Sequence, residues 1–170
     1  MSTSAQAPRV ITVTVSDTRT AADDASGRAL VDELASFVLV RHVIVPDEPE
    51  QIRAVVREAI SNGEVDAIVF SGGTGIAPRD RTYETLASMF DRTLDGFGEA
   101  FRRLSWDEIG PRAILSRATA GTIGACVVFS LPGSEKAVRL GARALIAPVL
   151  GHAVDLVNGR TRHGHGSKPG

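Results

Sequence analysis

Several residue types and patterns are scarce in this chain, and each absence narrows its function. The 170 residues include one cysteine, Cys126, so an internal disulfide is excluded. Basic residues number 19 against 20 acidic ones, so no overall basic field favours a nucleic-acid partner. The opening MSTSAQAPR lacks the apolar core of a signal peptide, and no apolar run approaches membrane-spanning length. We therefore expect a cytoplasmic protein with no membrane partner, whose function comes from a local site.

What the chain does have is a regular alternation of strand-type and helix-type segments. β-branched and apolar runs predict strands at 10–15, 40–45 and 65–70, and ACVVFSLPGS predicts a last one within 125–134. Apolar residues at helical spacing predict helices at 26–37, 50–61, 82–91, 95–104 and 135–157. Ser26 can cap the first helix, and the last is expected to kink at Pro148. Residues 105–124 carry no clear pattern.

This alternation, with short connections, predicts parallel strands joined by helical crossovers. The fold class is then α/β: a three-layer, doubly wound, mostly parallel sheet with helices on both faces. No repeat or boundary interrupts the pattern, so we expect one domain at 10–157 between flexible tails at 1–9 and 158–170. His163 and His165 could be read as a metal pair, but neighbouring glycines leave no preformed ligand geometry, which favours a solvated tail.

Small, hydroxyl and acidic residues follow the predicted strands. The four strand ends carry, in chain order, Ser16 and Asp17, then Asp47, then Ser71 with its glycines, and last the segment LPGS. Each set alone is an ordinary group of turn formers. Ligands of open parallel sheets, however, collect beyond the carboxyl ends of the strands, so four such ends together predict a ligand site there.

The third strand runs into SGGTG, residues 71–75. Glycines allow positive φ and a close backbone approach, so successive amide N–H groups can converge on an anion. Ser71 and Thr74 add hydroxyl donors, and a helix starting near Thr82 would point its positive end at the same space. Phosphate fits this donor set. The segment lacks the Lys-Ser/Thr end of a P-loop, and no G-x-G-x-x-G follows the first strand, which disfavours a nicotinamide dehydrogenase.

The residues that follow make the segment recognisable. SGGTGIAPRD with Thr82-Tyr83-Glu84 resembles the GGTG-x-x-x-RD-x-T-P-E signature of the molybdenum-cofactor biosynthesis family that contains MoaB, MogA and the G domain of gephyrin. The similarity runs from about Val10 to Leu156, and further segments resemble family blocks in the same order: TVSDTRT, DDASGRAL, VPDE, DGFGEAFRRLSWDEIGPRAILSRATAG and LPGSEKAVRLG. SWDEIG and PGSEKA look closer to MoaB than to MogA.

The resemblance implies a doubly wound α/β domain that forms a trimer, or a hexamer of two trimers. It implies an enzyme that uses ATP with Mg²⁺ to adenylylate molybdopterin and releases pyrophosphate. The downstream metal-insertion protein is a further expected partner. Two other interpretations stay open: a MoaB-like paralogue that binds molybdopterin or nucleotide with little or no turnover, and an ATP-dependent enzyme with another phosphorylated acceptor.

The resemblance also assigns roles by position. Asp47 and Asp80 match the two family acids tied to catalysis and to magnesium. The positions matching ligand contacts are Ser16, Asp17, Ser71, Gly72, Gly73, Thr74, Gly75, Thr82, Glu84, Glu99, Ser116, Pro132, Gly133 and Ser134. Tyr83 stands where the family has proline, a residue suited to the first helical turn, so the tyrosine can narrow or line the pocket.

The residues alone leave other roles open for the two acids. Asp80 fits a helix cap or an ion pair with Arg79 or Arg81, and Asp47 fits a turn. The resemblance favours the metal role, and the chemistry agrees with it. A terminal phosphate is largely dianionic at neutral pH and needs no general base, whereas its approach to a triphosphate needs positioning and charge neutralisation. Arg79, Arg81 and Arg117 could also contact phosphate.

Overall fold

A single mixed sheet forms the centre of the fold. The computed structural model describes residues 6–160. Its strands are β1 Arg9–Val15, β2 Val38–Val45, β3 Ala67–Ser71, β4 Arg92–Thr93, β5 Thr119–Ile123 and β6 Cys126–Leu131. They lie in the order β2-β1-β3-β6-β5-β4; the pairings among the first four are parallel, and those of β5 with β6 and β4 are antiparallel. The predicted α/β fold with a mostly parallel sheet is confirmed.

Helices flank the sheet. They are α1 Ala25–Glu33, α2 Pro49–Ser61, α3 Thr82–Ala87, α4 Asp95–Ile109, α5 Glu135–Gly141 and α6 Ala147–Val157. A 3₁₀ turn, Gly110–Leu115, follows α4, and a π turn, Ala142–Ile146, joins α5 to α6. The irregularity of this last helix therefore precedes Pro148 instead of centring on it. Proline has no N–H for the regular ladder, and the amide of Ala147 donates to Ala142, five residues back.

Each face of the sheet has its own hydrophobic core. One core joins alternate strand residues to α1 and to the α5–α6 run; its members include Val10, Val69, Phe129, Leu30 and Ile146. The other joins the intervening strand residues to α2 and α3; its members include Ile11, Ile68, Val128, Ile52 and Leu86. The split follows from strand geometry, because successive side chains point to opposite faces. Strands buried on both faces appear in the sequence as apolar runs.

The first helix begins one residue earlier than predicted, and its N-cap is Asp24 instead of Ser26. The Asp24 carboxylate accepts hydrogen bonds from the amide of Gly27 at 2.8 Å and the hydroxyl of Thr14 at 2.7 Å. His42 Nε2 lies 2.9 Å from the same carboxylate. Ser26 lies buried in the first turn, its hydroxyl 3.3 Å from Asp24. A carboxylate is the stronger acceptor, and here tertiary partners fix it in place.

The segment without a clear sequence pattern divides among three elements. Residues 105–109 extend α4, the 3₁₀ turn follows, and β5 and β6 then form an antiparallel hairpin edged by the two-residue β4. Elements this short or irregular carry too few residues for a periodicity to stand out. Residues 1–5 and 161–170 lie outside the described residues, and so do His163 and His165; the flexible tails stay a prediction.

One helical run departs from the expectation about membrane-spanning length. By length and composition alone, the 23 residues Glu135–Val157 could cross a membrane. A stripe of this run packs into the core of the sheet, however: Val138, Ala142, Ile146, Leu150 and Val154. Arg139 and Arg143, near its start, lie 3.1 and 2.6 Å from Glu33 of α1. These contacts are those of a core helix.

Candidate functional site

The carboxyl ends of four strands meet at one edge of the sheet, which we term the rim. In the parallel register, Val15 lies opposite Val45, Thr14 opposite Ser71, and Ser71 opposite Leu131. The loops that leave β1, β2, β3 and β6 therefore start side by side. The structure thus brings the four predicted strand ends together.

The loop after β3, residues 72–81, is termed the glycine loop, and its first two glycines are required by both conformation and space. Gly72 and Gly73 have φ of +102° and +68°, a region that favours glycine. A Cβ on Gly72 would lie 2.2 Å from the carbonyl oxygen of Val15. One on Gly73 would lie 2.4 Å from Oδ2 of Asp47. The loop therefore folds back tightly on the ends of β1 and β2.

Successive backbone amides of the glycine loop have no acceptor among the described residues. The amide of Gly72 donates to Leu131 at 2.9 Å, and that of Ala77 donates to Asp80 at 2.9 Å. Between them, the N–H groups of residues 73–76 donate to no atom of residues 6–160. A run of unpaired amides is a ready anion site, because each N–H needs an acceptor.

The loop that follows β6 packs against the glycine loop. A Cβ on Gly133 would lie 3.2 Å from Cα of Gly72, so the two backbones are in close contact. Ser134 caps α5, its hydroxyl accepting from the amide of Ala137 at 3.2 Å. The helix therefore presents its positive end at the rim. Arg19 donates to the carbonyl of Gly133 at 3.0 Å and fastens this loop to the one after β1.

Asp47 is the buried acid of the rim, with 5% of its surface exposed. Its Oδ2 accepts from the amide of Arg81 at 3.2 Å, and its Oδ1 accepts from the hydroxyl of Thr82 at 3.3 Å. Burial raises the pKa of Asp47 above its ordinary value, the two donors oppose that rise, and the charges of Asp80 and Asp17 add to it. Three carboxylates therefore concentrate negative charge in one small region.

Asp17 and Asp80, the other two acids of the rim, differ in the hydrogen bonds that their carboxylates accept from the protein. Asp17 accepts two hydrogen bonds from Arg79, at 2.7 and 2.9 Å, and these are the main cause of its lowered pKa. Arg79 also pairs with Glu48 at 2.9 Å. Asp80 accepts only the amide of Ala77, through Oδ2, and within residues 6–160 its Oδ1 has no donor. It pairs with neither neighbouring arginine, which leaves one carboxylate oxygen available.

The remaining predicted ligand residues lie at different depths around the rim. The Ser16 hydroxyl accepts the amides of Thr18 and Arg19 in a turn, at 3.3 and 3.1 Å. Thr74 and Thr82 are buried, at 3% and 0% exposure. Ser71 is fully buried, and its hydroxyl has no partner within the described part of the chain. That hydroxyl therefore faces the protein interior.

Three predicted residues lie on the side of the site formed by α3, α4 and the 3₁₀ turn. Glu84 of α3 is paired with Arg117. Ser116 directly precedes Arg117, and its hydroxyl accepts the amide of Ala118 at 3.3 Å. Glu99 is exposed on α4, and no hydrogen bond or ion pair among residues 6–160 joins it to the glycine loop.

Sequence reasoning missed Arg19 and left Arg117 outside the site. Both guanidinium groups bind backbone carbonyls of rim loops, Gly133 for Arg19 and Gly75 for Arg117. A half-buried arginine that binds carbonyls has the same sequence signal as an exposed one. Only the position of Arg19 inside TVSDTRT, and of Arg117 inside a family-like block, pointed to them.

A groove of about 440 Å³ opens beside the glycine loop, between α2 and α3. Its wall includes Asp80 and three arginines, Arg53, Arg81 and Arg117, together with the apolar surface of Ile76 and Pro78. The volume is within the range of small-molecule sites, and Arg53 and Arg81 beside apolar surface suit a ligand with a phosphate and a ring. The glycine loop is therefore open to a ligand on this side.

The raised pKa of Asp47 predicts an unusual dependence of stability on pH. The native state holds this proton more tightly than the unfolded chain, so the contribution of Asp47 to the free energy of unfolding falls as pH rises through its raised pKa. We expect Asp47→Asn to gain stability relative to the parent protein as pH rises above the ordinary aspartate pKa of about 4. Urea unfolding with EDTA present measures the difference.

Glu33→Gln is the matched control for this measurement. Arg143 lowers the pKa of Glu33, so its charged form stabilises the native state above the unfolded pKa, and that contribution is lost as pH falls. The Glu33 variant should therefore lose stability relative to the parent protein as pH rises. The same pH trend in both variants would contradict the assignment of Asp47 as a buried, disfavoured charge.

The fold and the rim together define the class of the protein: doubly wound α/β proteins whose ligand site lies beyond the carboxyl ends of the parallel strands. The model of the family described as "probable molybdopterin binding domain" matches residues 11–152. The chain therefore belongs to this molybdopterin-binding family, as its glycine-loop signature predicted.

Relatives with established names agree with that assignment. Molybdenum cofactor biosynthesis protein B of Bacillus cereus is 45% identical over 153 residues, which cover 86% of this chain and 90% of the relative. A probable molybdopterin adenylyltransferase of Methanocaldococcus jannaschii is 40% identical over 150 residues, covering 82% of this chain and 90% of the relative. The crystal structure of a molybdenum cofactor biosynthesis protein B superposes with a TM-score of 0.87 at 43% identity, covering 91% of this chain and 98% of the other. The predicted similarity to MoaB is confirmed.

Proposed function

We propose that this protein adenylylates molybdopterin with Mg-ATP and releases pyrophosphate. The observation that carries the proposal is the run of amides at 73–76 that have no acceptor within residues 6–160. They lie next to Asp80, whose Oδ1 has no donor in the same range. Such a site can bind phosphate groups and a divalent ion together. The name of the Methanocaldococcus jannaschii relative supports the reaction, and the family supports molybdopterin as the acceptor.

The reaction asks the protein for positioning and charge neutralisation. A terminal phosphate oxygen of molybdopterin attacks the α-phosphorus of ATP; one P–O bond forms, the α–β P–O bond breaks, and pyrophosphate leaves with the electron pair. The attacking phosphate is largely dianionic at neutral pH, so no side chain has to remove a proton. The amides of residues 73–76 and the N-terminus of α5 hold the anions in place.

The acids of the rim fit a magnesium ion. No cluster of three or more His, Cys, Asp or Glu suited to a metal occurs within residues 6–160. Mg²⁺ does not need such a cluster, because it commonly takes one or two carboxylates and completes its shell with phosphate and water. Asp80 would bind through its Oδ1, which has no donor within residues 6–160. Asp47 would bind from its buried position, where a cation would offset the burial, and the repulsion from Asp80 and Asp17, that raise its pKa. The ion would supply charge neutralisation between the two phosphate groups.

The experiment that tests the proposal is an assay of product formation. Purified protein is incubated with molybdopterin, ATP and magnesium, and the mixture is separated by chromatography. We expect adenylylated molybdopterin and an equal amount of pyrophosphate, with neither formed when EDTA replaces magnesium. Binding of both substrates without product would contradict the proposed reaction.

One observation favours the alternative of a binding protein. Both carboxylate oxygens of Asp47 already accept hydrogen bonds, from Thr82 of α3 and from Arg81 directly before it, which is what a purely structural turn residue does. A MoaB-like paralogue could keep this turn and bind molybdopterin or nucleotide with little or no turnover. Calorimetry with each ligand, run beside the product assay, separates the two functions.

The proposal also covers the oligomeric state of the protein, its downstream partner and its cellular location. An exposed apolar patch at the end of α4 and in the 3₁₀ turn, Trp106, Ile109, Ile114 and Leu115, supports assembly into a trimer or a hexamer of two trimers. The adenylylated product would pass to a protein that inserts the metal. Since the reaction consumes ATP, we place it in the cytoplasm.

A further inference from the structure

The side chain and the backbone amide of Arg117 donate hydrogen bonds to carbonyl oxygens of the glycine loop. Its Nε and Nη2 donate to the carbonyl of Gly75 at 3.0 and 2.6 Å, and Nη2 also lies 3.4 Å from the carbonyl of Asp80. Its backbone amide donates to the carbonyl of Thr74 at 3.0 Å. One residue therefore binds both ends of the segment 75–80.

These contacts fix the direction in which the loop amides point. In a trans peptide the C=O and the following N–H point in opposite directions. The carbonyls of Thr74 and Gly75 both face Arg117, so the N–H groups of Gly75 and Ile76 face away from it. These two amides belong to the set without a protein acceptor within residues 6–160.

The same geometry holds at the far end of the segment. The carbonyl of Asp80 faces Arg117, and the next amide, that of Arg81, points the other way and donates to Asp47 at 3.2 Å. Arg117 thus aligns the anion-binding amides and the capping contact of the buried acid from one side of the loop.

Two residues of α3 hold Arg117 in this position. Glu84 pairs with its guanidinium, and the ring of Tyr83 lies under it, 4.9 Å from ring centroid to Cζ. A cation over an aromatic face is attracted to the ring, most strongly when partly removed from water, and the Arg117 side chain is 27% exposed. Proline at position 83 would offer no such face.

We infer that Arg117 is a positioning residue, stacked on Tyr83, which turns the amides of Gly75 and Ile76 towards the phosphate of the ligand. The inference rests on the proposed function only for the identity of that ligand. Arg117 is not itself a free phosphate-binding cation, because carbonyls and Glu84 occupy its three nitrogens. Tyr83, which departs from the family pattern, then takes part in holding the loop.

The test combines hydrogen exchange of the full chain without ligand and Mg-ATP affinity by calorimetry. Losing these contacts of Arg117 should let the loop open more often. In Arg117→Gln the hydrogen-bonded amides of Ala77, Asp80 and Arg81 should therefore exchange about tenfold faster, with those of β1 and β6 unchanged. The dissociation constant for Mg-ATP should rise by about tenfold. Arg117→Lys, which can reach one carbonyl but cannot bridge, should fall between the parent protein and Arg117→Gln in both measurements.

Three further variants act as controls. Tyr83→Phe keeps the ring and should match the parent protein, whereas Tyr83→Ala should resemble Arg117→Lys. Arg112→Gln removes the same charge from an exposed position of the 3₁₀ turn and should change neither measurement.

The outcomes separate this inference from the proposed function. Parental exchange rates at the amides of Ala77, Asp80 and Arg81 in both Arg117 variants would overturn the positioning role of Arg117, whatever the protein catalyses. Faster exchange with unchanged Mg-ATP affinity would overturn its role in ligand binding. If the parent protein binds Mg-ATP but forms no adenylylated product, the proposed reaction fails. The exchange and affinity measurements then still test whether Arg117 positions the loop amides.

Discussion

Asp80→Asn is expected to lower the rate of adenylylated product formation by about 10³-fold, the loss of several kcal/mol of charge stabilisation near the transferred group. Asparagine keeps an oxygen for the amide of Ala77, so the turn of the glycine loop should persist. The negative charge on the free oxygen is what disappears. The measurement is the initial rate at saturating ATP across a magnesium titration, and the variant should also need more magnesium to reach half of its maximal rate.

Asp91→Asn is the matched control for this variant. Asp91, an exposed acid, likewise accepts one backbone amide, that of Gly124 at 2.7 Å, but it lies next to the β5–β6 hairpin, away from the rim. The same charge change there should leave turnover within about twofold of the parent protein. If Asp80→Asn turned over as fast as Asp91→Asn, Asp80 would have no role with the metal.

Gly72→Ala is expected to reduce the free energy of unfolding by about 3 kcal/mol and to abolish ligand binding. Two effects add at this position. The φ of +102° strains any L side chain, and the new Cβ would meet the carbonyl oxygen of Val15 at 2.2 Å. A backbone oxygen inside a buried parallel ladder cannot move aside as a side chain can, so the loop has to shift. Urea unfolding and Mg-ATP calorimetry measure the two losses.

Gly63→Ala separates the effect of backbone strain from that of a steric clash. Gly63 also has a positive φ, +63°, but a Cβ there would meet nothing within 4 Å. It should lose only about 1 kcal/mol of stability and keep parental ligand binding. Equal losses in the two variants would mean that the close packing of the glycine loop on β1 contributes nothing.

The fold could be predicted where the chain repeats a simple pattern. β1, β3 and β6 are buried on both faces, so their apolar runs predict strands directly. The stripe Ile52, Val56 and Ala59 likewise predicts α2. The pattern fails where a long-range contact decides, as at the start of α1, where Thr14 and His42 make Asp24 the cap. The strand β4 has two residues, which are too few to show a hydrophobic period.

The features of the candidate site likewise fall into those that the sequence could predict and those that it could not. Glycines between a strand and a helix, followed by an acid, indicate a phosphate loop, because few other roles require so many conformationally free residues together. Sequence could not tell that Ser71 faces the interior while Asp80 keeps a free oxygen. Both depend on the direction of a side chain within a particular loop path.

The order of residues by itself determined the α/β class and the glycine loop, since each follows from local conformational preference or hydrophobic period. The choice of Asp47 and Asp80 came from the resemblance to the family and stays a prediction. Only the tertiary structure decided which groups stay unpaired. Arg79 pairs with Asp17 and Glu48, and Arg117 donates to Gly75. Within the part of the chain that the structure describes, the amides of 73–76 and one oxygen of Asp80 keep no partner. The reason is physical: a donor's partner is fixed by which strands lie side by side, and residues that meet at this rim are far apart along the chain.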